Sequence, residues 1–162
     1  MAVPGLNIDA VAPGLVDAQF GSVLGSIENA EDREAKRNEL IEFFKTGDGS
    51  AEIQEKINLI NDLYDTTDAS LTSVATTPPL VVALKAVPAV LVVGQATGTP
   101  NPGFGSSLSS AFKGIVQAVA SLAEGQIKTI AYYCASIGFD SSTAVTALNT
   151  KLTAAKSAAD TL

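Results

Sequence analysis

Hydrophobic and polar positions alternate at helical spacing over most of this chain. Phe20, Val23, Leu24 and Ile27 follow the i, i+3, i+4, i+7 pattern of a single apolar stripe. A charge run from residue 28 to 37 then gives way to apolar anchors at Leu40, Ile41, Phe43 and Phe44. The spacing predicts helix over residues 17–45, with the charge run as its solvated face. Gly47 is placed to stop it as a C′ residue and Ser50 to cap the next helix. That helix, over residues 51–64, sets Ile53, Ile57, Ile60 and Tyr64 on one stripe with Leu59 and Leu63 beside it. The two segments form a helical hairpin with their apolar faces inward. Asp65, Thr66, Thr67 and Asp68 then offer caps for a short helix reaching residue 76.

Two stretches do not follow this period. Residues 1–16 carry the turn pairs Pro4-Gly5 and Pro13-Gly14 among Val3, Leu6, Ile8, Val11, Leu15 and Val16. They read as an extended arm lying along its own domain or a neighbour, the alternative being a frayed terminus. Residues 78–102 run PPLVVALKAVPAVLVVGQATGTPNP. The prolines at 78 and 79 end any preceding helix. Residues 80–93 can be a buried strand or a Pro88-kinked helix, and helix is preferred because no second convincing strand exists to pair with it. Residues 94–105 read as loop. The Leu and Val density of the apolar part would be sticky in a free linker, so it is read as a packed crossover.

Helical spacing returns over residues 106–137, with Leu108, Phe112, Ile115, Val116, Val119, Leu122, Ala123, Ile127, Ile130 and Tyr133 on it. Gly138 ends that helix, Asp140, Ser141 and Ser142 cap another, and a last helix occupies residues 144–162 with Val145, Leu148, Leu152 and Ala155 as its narrow stripe. The fold class expected is mainly α: a helical hairpin and C-terminal helices joined by a Pro-rich apolar crossover, with an extended N-terminal arm. The regions are 1–16 (arm), 17–76 (acidic hairpin), 77–105 (crossover and loop) and 106–162, together one domain.

Composition sharpens this picture. Of the 162 residues, 46% are apolar, yet aromatics are only 6% and Trp is absent. Ala, Val and Leu dominate, which predicts thin helices in close contact. The net charge of −7 is unevenly spread. Residues 1–68 hold 14 acids against 5 bases, hence −9, and residues 69–162 hold 3 acids against 5 bases, hence +2. An acidic balance argues against a nucleic-acid partner. A C-terminal half so poor in charge is expected to face another protein subunit.

Candidate chemistry is sparse. There is no histidine, and Cys134 is the single cysteine, so no cofactor, disulfide or metal centre is expected. Ser110-Ala111-Phe112-Lys113 matches S-x-x-K and Lys45-Thr46-Gly47 matches K-T-G, two motifs of penicillin-recognising enzymes. Their order is reversed and the S-D-N element is missing, which makes the match a coincidence of short patterns. Gly103, Gly105 and the serines after them could present free N–H groups to an anion, without the framing a dinucleotide site requires. Asp48, Ser50, Glu52 and Glu55 fail the spacing of a Ca²⁺ loop. Glu31 and Glu34 form a carboxylate pair on an exposed run. Cys134 lies in an apolar run without a base to activate it. Gly21 and Gly25 make a small-xxx-small step that would let two helices approach closely. The N-terminus has no basic region followed by an apolar run, so no secretory signal is read there, and residues 80–93 are too short and too interrupted to span a bilayer.

The opening MAVPGLN, the acidic hairpin and the Ala/Ser/Thr/Val-rich tail together resemble small tailed-phage virion proteins of tail, baseplate or head-completion type. That resemblance, one of style across the chain, implies a multi-copy structural subunit located in a virion, without enzymatic activity or cofactor, whose partners are copies of itself and other structural subunits. Outside a virion the expected location is cytoplasmic. The interface residues expected are Leu6, Ile8, Val11 and Leu15 of the arm and Leu80, Val81, Val82, Val90 and Leu91 of the crossover. Deletion of residues 2–16 is then expected to leave a folded domain that no longer assembles. The alternative is a membrane-active protein whose residues 80–93 and 111–137 are released at a bilayer, and a third reading is a carrier with an apolar pocket between helices.

Overall fold

The computed structural model describes residues 2–76 and 102–160. Among them lie five α-helices and no strand: α1 (Ile8–Gly25), α2 (Ala30–Thr46), α3 (Ser50–Thr76), α4 (Pro102–Ser136) and α5 (Ser142–Asp160). The mainly α class is therefore as the apolar spacing predicts. The chain divides into two compact units, one made of Met1–Thr66 with Ile127–Thr146, the other of Thr67–Gln126 with Ala147–Leu162. Helices α3, α4 and α5 each contribute residues to both.

In the first unit the N-terminal region is not an extended arm. Only Pro4-Gly5 makes a turn: Gly5 has φ +75°, and the Leu6 N–H bonds the Val3 carbonyl at 3.1 Å. This is the glycine-at-i+2 arrangement that requires a positive φ. Val3 is anchored by its own N–H, which donates to Asn61 Oδ1 on α3 at 2.9 Å. Asn7, in extended backbone, then caps α1 by accepting from the Ala10 N–H at 2.9 Å. Pro13 lies inside α1 and removes one helical donor. The helix persists because Val11, Ala12, Leu15 and Val16, at i, i+1, i+4 and i+5, are all buried by it. Burial of each such Val or Leu contributes about 1.5–3 kcal/mol, enough to offset one missing hydrogen bond.

The helical stretch expected over residues 17–45 is two helices, interrupted at residues 26–29. Ser26 closes α1, its hydroxyl donating to the Val23 carbonyl at 2.6 Å. Asn29 opens α2, its side chain accepting from the N–H groups of Glu31 (2.9 Å) and Asp32 (3.3 Å). Arg33 folds back so that Nε and Nη2 donate to the Ile27 carbonyl at 3.1 and 2.6 Å. The hairpin is thus α1 with α2. Ala12, Val16, Leu24 and Ile41 form its buried core, and Phe20, Ile27, Leu40 and Phe44 pack against it. Arg37 grips Asp17 with two donors at 2.8 and 3.0 Å, and Lys45 reaches Asp9 at 3.3 Å, pairing late α2 with early α1 in antiparallel sense. These pairs are exposed and contribute little individually.

Gly47 stops α2 as expected, but with φ −88° rather than in the left-handed region. Ser50 does not cap α3; it is the helix's first residue, its hydroxyl donating to the Gly47 carbonyl at 2.8 Å. Nor do residues 65–68 start a new helix. The buried stripe of Ile53, Ile57, Ile60, Tyr64, Thr67 and Leu71 keeps its 3–4 spacing straight through them. Thr66 bonds back to the Asp62 carbonyl at 2.9 Å, as helical Thr does.

Gly138 ends α4 in a Schellman motif. Its φ is +68°, Phe139 N–H bonds the Cys134 carbonyl at 2.8 Å, and Gly138 N–H bonds that of Ala135 at 3.1 Å. Asp140 then accepts from the Ser142 backbone N–H at 3.0 Å and from its hydroxyl at 2.6 Å, opening α5. Here α1 meets the turn backbone to backbone. A Cβ at Gly14 would collide with the Gly138 carbonyl oxygen, and one at Gly138 would lie 2.6 Å from the Gly14 carbonyl carbon and 2.7 Å from the Leu15 nitrogen.

In the second unit, α4 begins at Pro102, four residues before the expected start, where proline's fixed φ suits a first helical position. The interior is built of small side chains: Val116, Ala120, Ala123 and Ala155 are buried beside Leu71, Leu148 and Leu152. The alanine-rich composition is expressed here as an interior of narrow side chains. Residues 77–101, including the whole apolar stretch 80–93, lie outside the described residues.

Candidate functional site

The expected arm interface is largely internal to the first unit. Leu6, Val11 and Leu15 are buried among its own helices, and Ile8 is half-buried. The helical period that the Pro-Gly pairs concealed turns these side chains inward, so they are not offered to a neighbour. Leu80, Val81, Val82, Val90 and Leu91 lie outside the described residues.

The apolar side chains that do reach solvent are others. In the first unit they are Val23 on α1, Phe43 on α2, Leu59 on α3 and Tyr132 on α4; in the second, Leu122 on α4. Tyr132 is 72% exposed and Leu122 67%. Phe43 stands edge-on to Phe44 with ring centres 5.2 Å apart, beside Gly47 and Gly49. Tyr132 stands edge-on to the half-buried Tyr133 at 5.8 Å. Helical angle is the signal that separates them: Tyr133 and Cys134 follow the buried positions Ile127 and Ile130, and Tyr132 falls outside that row. Spacing alone predicts inward stripes that include Val23, Phe43 and Leu122, yet all three point outward.

The C-terminal helices carry few exposed charges among their described residues. In the second unit α5 exposes Ala147, Asn149, Thr150, Thr153, Ala154 and Ser157, with Lys156 and Asp160 the charged exposed residues described on it. In the first unit, α2 is the opposite: Glu31, Asp32, Glu34, Glu39 and Glu42 are all exposed, and Ile41 is its one buried residue.

The chemical candidates resolve as follows. The Cys134 thiol is fully buried, and burial pushes its pKa up, partly countered by a hydrogen bond with Ser141. Such a thiol is a poor nucleophile. Lys45 of the K-T-G match is held by Asp9, and Thr46 is bonded to the Glu42 carbonyl at 3.1 Å. The Ser110 and Lys113 side chains lie outside what is described. Residues 103–107 are inside α4, so their backbone is a helical first turn rather than a lead-in loop. No group of three His, Cys, Asp or Glu side chains among the described residues is placed to hold a metal ion. Glu31 and Glu34 are solvated on α2. Gly21 and Gly25 face open space, and the close backbone approach occurs at Gly14 and Gly138 instead.

A cavity of about 350 Å³ in the second unit is lined by Gln117, Ser121, Lys156 and Asp160. Lys156 also approaches Glu124 at 3.8 Å. An amide, a hydroxyl and two opposite charges can hydrogen-bond a polar group. No helix among the described residues is long and apolar enough to cross a membrane.

No protein-family model matches this chain, and comparison with curated proteins and with solved structures found no match either.

Proposed function

We propose that this protein is a non-enzymatic structural subunit of a multi-protein assembly, of the kind found in tailed-phage virions, with copies of itself and other subunits as its partners. The observation that carries the reading is the exterior of α4 and α5. Leu122 in the second unit and Tyr132 in the first are more than half exposed, and the exposed residues near them in sequence are mostly Ala, Gly, Ser and Thr, with Gln117 and Lys128 among them. Large apolar side chains on a weakly charged surface are features of interaction faces, which gain stability when water is excluded from them.

The test has two parts. Light-scattering mass is measured over a hundredfold concentration range for the parent, Tyr132→Lys and Leu122→Lys. Concentration-dependent association that either substitution weakens supports the reading. A parent that stays monomeric and binds no particle component overturns it. Mass spectrometry of purified particles that carry the chain then distinguishes a multi-copy subunit from a passenger.

A further inference from the structure

The second unit contains a polar layer in an otherwise small-residue interior. Thr67 is fully buried and its hydroxyl donates to Gln126 Oε1 at 2.8 Å. The next residue, Asp68, has a side chain only 12% exposed and is paired with the Lys151 ammonium. Two adjacent residues of α3 are therefore tied to two different helices, Thr67 to α4 and Asp68 to α5. We infer that this layer sets the axial register of α3 against α4 and α5 within the second unit.

Five residues separate α4 from α5, and their capped turn fixes one helix against the other. Twenty-five residues separate α3 from α4. Shape discriminates weakly, because Ala120, Ala123 and Ala155 present shallow relief to a neighbour. Polar pairing discriminates strongly. A slip of α3 by one turn, about 5.4 Å, brings Leu71 or Leu63 to the place of Thr67, opposite Gln126. The same slip brings Thr72 or Tyr64 to the place of Asp68, leaving the Lys151 ammonium without a carboxylate. Either slip parts the buried Thr67 and Asp68 from their half-exposed partners Gln126 and Lys151, and separating buried polar groups from their partners is costly. Among the described residues no buried side-chain nitrogen or oxygen lacks a hydrogen-bond partner in the native register. Buried polar groups that select register in this way are known from coiled coils, where they are retained although apolar replacements are more stable.

The experiment replaces the ion pair by apolar side chains of similar size, Asp68→Leu with Lys151→Met, in the full chain. Far-UV circular dichroism and the thermal midpoint are expected to stay the same or rise. Methyl NMR signals of Leu71, Leu148 and Leu152 are expected to change from one set to two or more, or to broaden by exchange. Lys151→Arg keeps the charge pair and is expected to keep one set. A single sharp set with unchanged cross-peaks in the double variant overturns the inference. So does loss of helicity in that variant, which would make the pair a source of stability rather than of register. Splitting in Lys151→Arg overturns it too, since any local disturbance would then suffice.

Discussion

Replacing Gly138 by alanine is the sharpest challenge to the first unit. The residue has φ +68°, a conformation that costs an L side chain about 1–2 kcal/mol. Its new Cβ would also lie 2.6–2.8 Å from the carbonyl carbon and oxygen of Gly14 and the nitrogen of Leu15. These are backbone atoms of α1, held by the buried Val11, Ala12, Leu15 and Val16, and cannot swing aside as a side-chain tip would. Overpacking against such a wall costs about 1–3 kcal/mol, so the two effects together destabilise by about 2–5 kcal/mol, a large part of a domain's total stability. The three tyrosines, Tyr64, Tyr132 and Tyr133, all belong to the first unit, and there is no tryptophan. Tyrosine fluorescence during urea unfolding therefore reports that unit alone. Gly138→Asn, whose side chain tolerates the left-handed region better, should recover the conformational part and retain the collision. Gly21→Ala is the control: nothing lies within 4 Å of its Cβ position, and exchanging glycine for alanine in a helix should stabilise by about 0.5–1 kcal/mol. A Gly138→Ala midpoint equal to the parent's, or equal losses at Gly21 and Gly138, would refute the claim that a backbone contact joins α1 to this turn.

Removing residues 2–16 should abolish the cooperative tyrosine transition of the first unit, because it takes away the Asn7 cap and the buried Val3, Leu6, Val11, Ala12, Leu15 and Val16; a truncated chain with the parental urea midpoint would contradict this. Arg37→Met should raise the pKa of Asp17, followed by carboxyl-carbon NMR. The Arg37 hydrogen bonds hold that carboxyl below its ordinary value against a slight opposing effect of burial. The stabilisation from this pair is accordingly present above the ordinary aspartate range and lost as pH falls through the depressed value. Cys134 should be inert to a thiol-specific reagent at mildly alkaline pH until the protein unfolds, as burial raises its pKa. Its contribution to stability is complete below the free thiol's pKa and is lost as pH rises through the folded value, so stability should decline on the alkaline side more steeply in the parent than in Cys134→Ala.

The parts of the fold that could be read from the amino acids are those where local chemistry and the core agree. Gly138, Asp140 and Ser142 form the stop and restart their residue types suggest, and Ile53, Ile57, Ile60 and Tyr64 are the buried stripe that their spacing implies. Misreadings arose where one residue type serves two conformations. Pro13-Gly14 has the form of a turn, yet the proline is tolerated inside α1 and the glycine is needed for closeness, not for bending. Residues 65–68 have the form of caps, yet Thr67 and Asp68 use their side chains on partners 59 and 83 residues away. Local sequence contains no trace of such distant partners. The same limit applies to the exposed face: Val23 and Phe43 satisfy a helical stripe, and only knowledge of which neighbour each helix meets shows that they point outward. The arm residues failed as an interface for the converse reason, being required by the core of their own unit.

Both units are interleaved in the chain, and this dictates the order in which they can be made. Gly14 leaves the ribosome long before Gly138, and the first unit is incomplete until Thr146 has followed. At ordinary translation rates of about 5–20 residues per second, the 80 residues from Thr66 to Thr146 impose a wait of roughly 4–16 seconds. During that time Gly14 of α1 has no Gly138 to meet. Neither unit can be excised as a continuous fragment, and a chain truncated at any point before Thr146 leaves both unfinished.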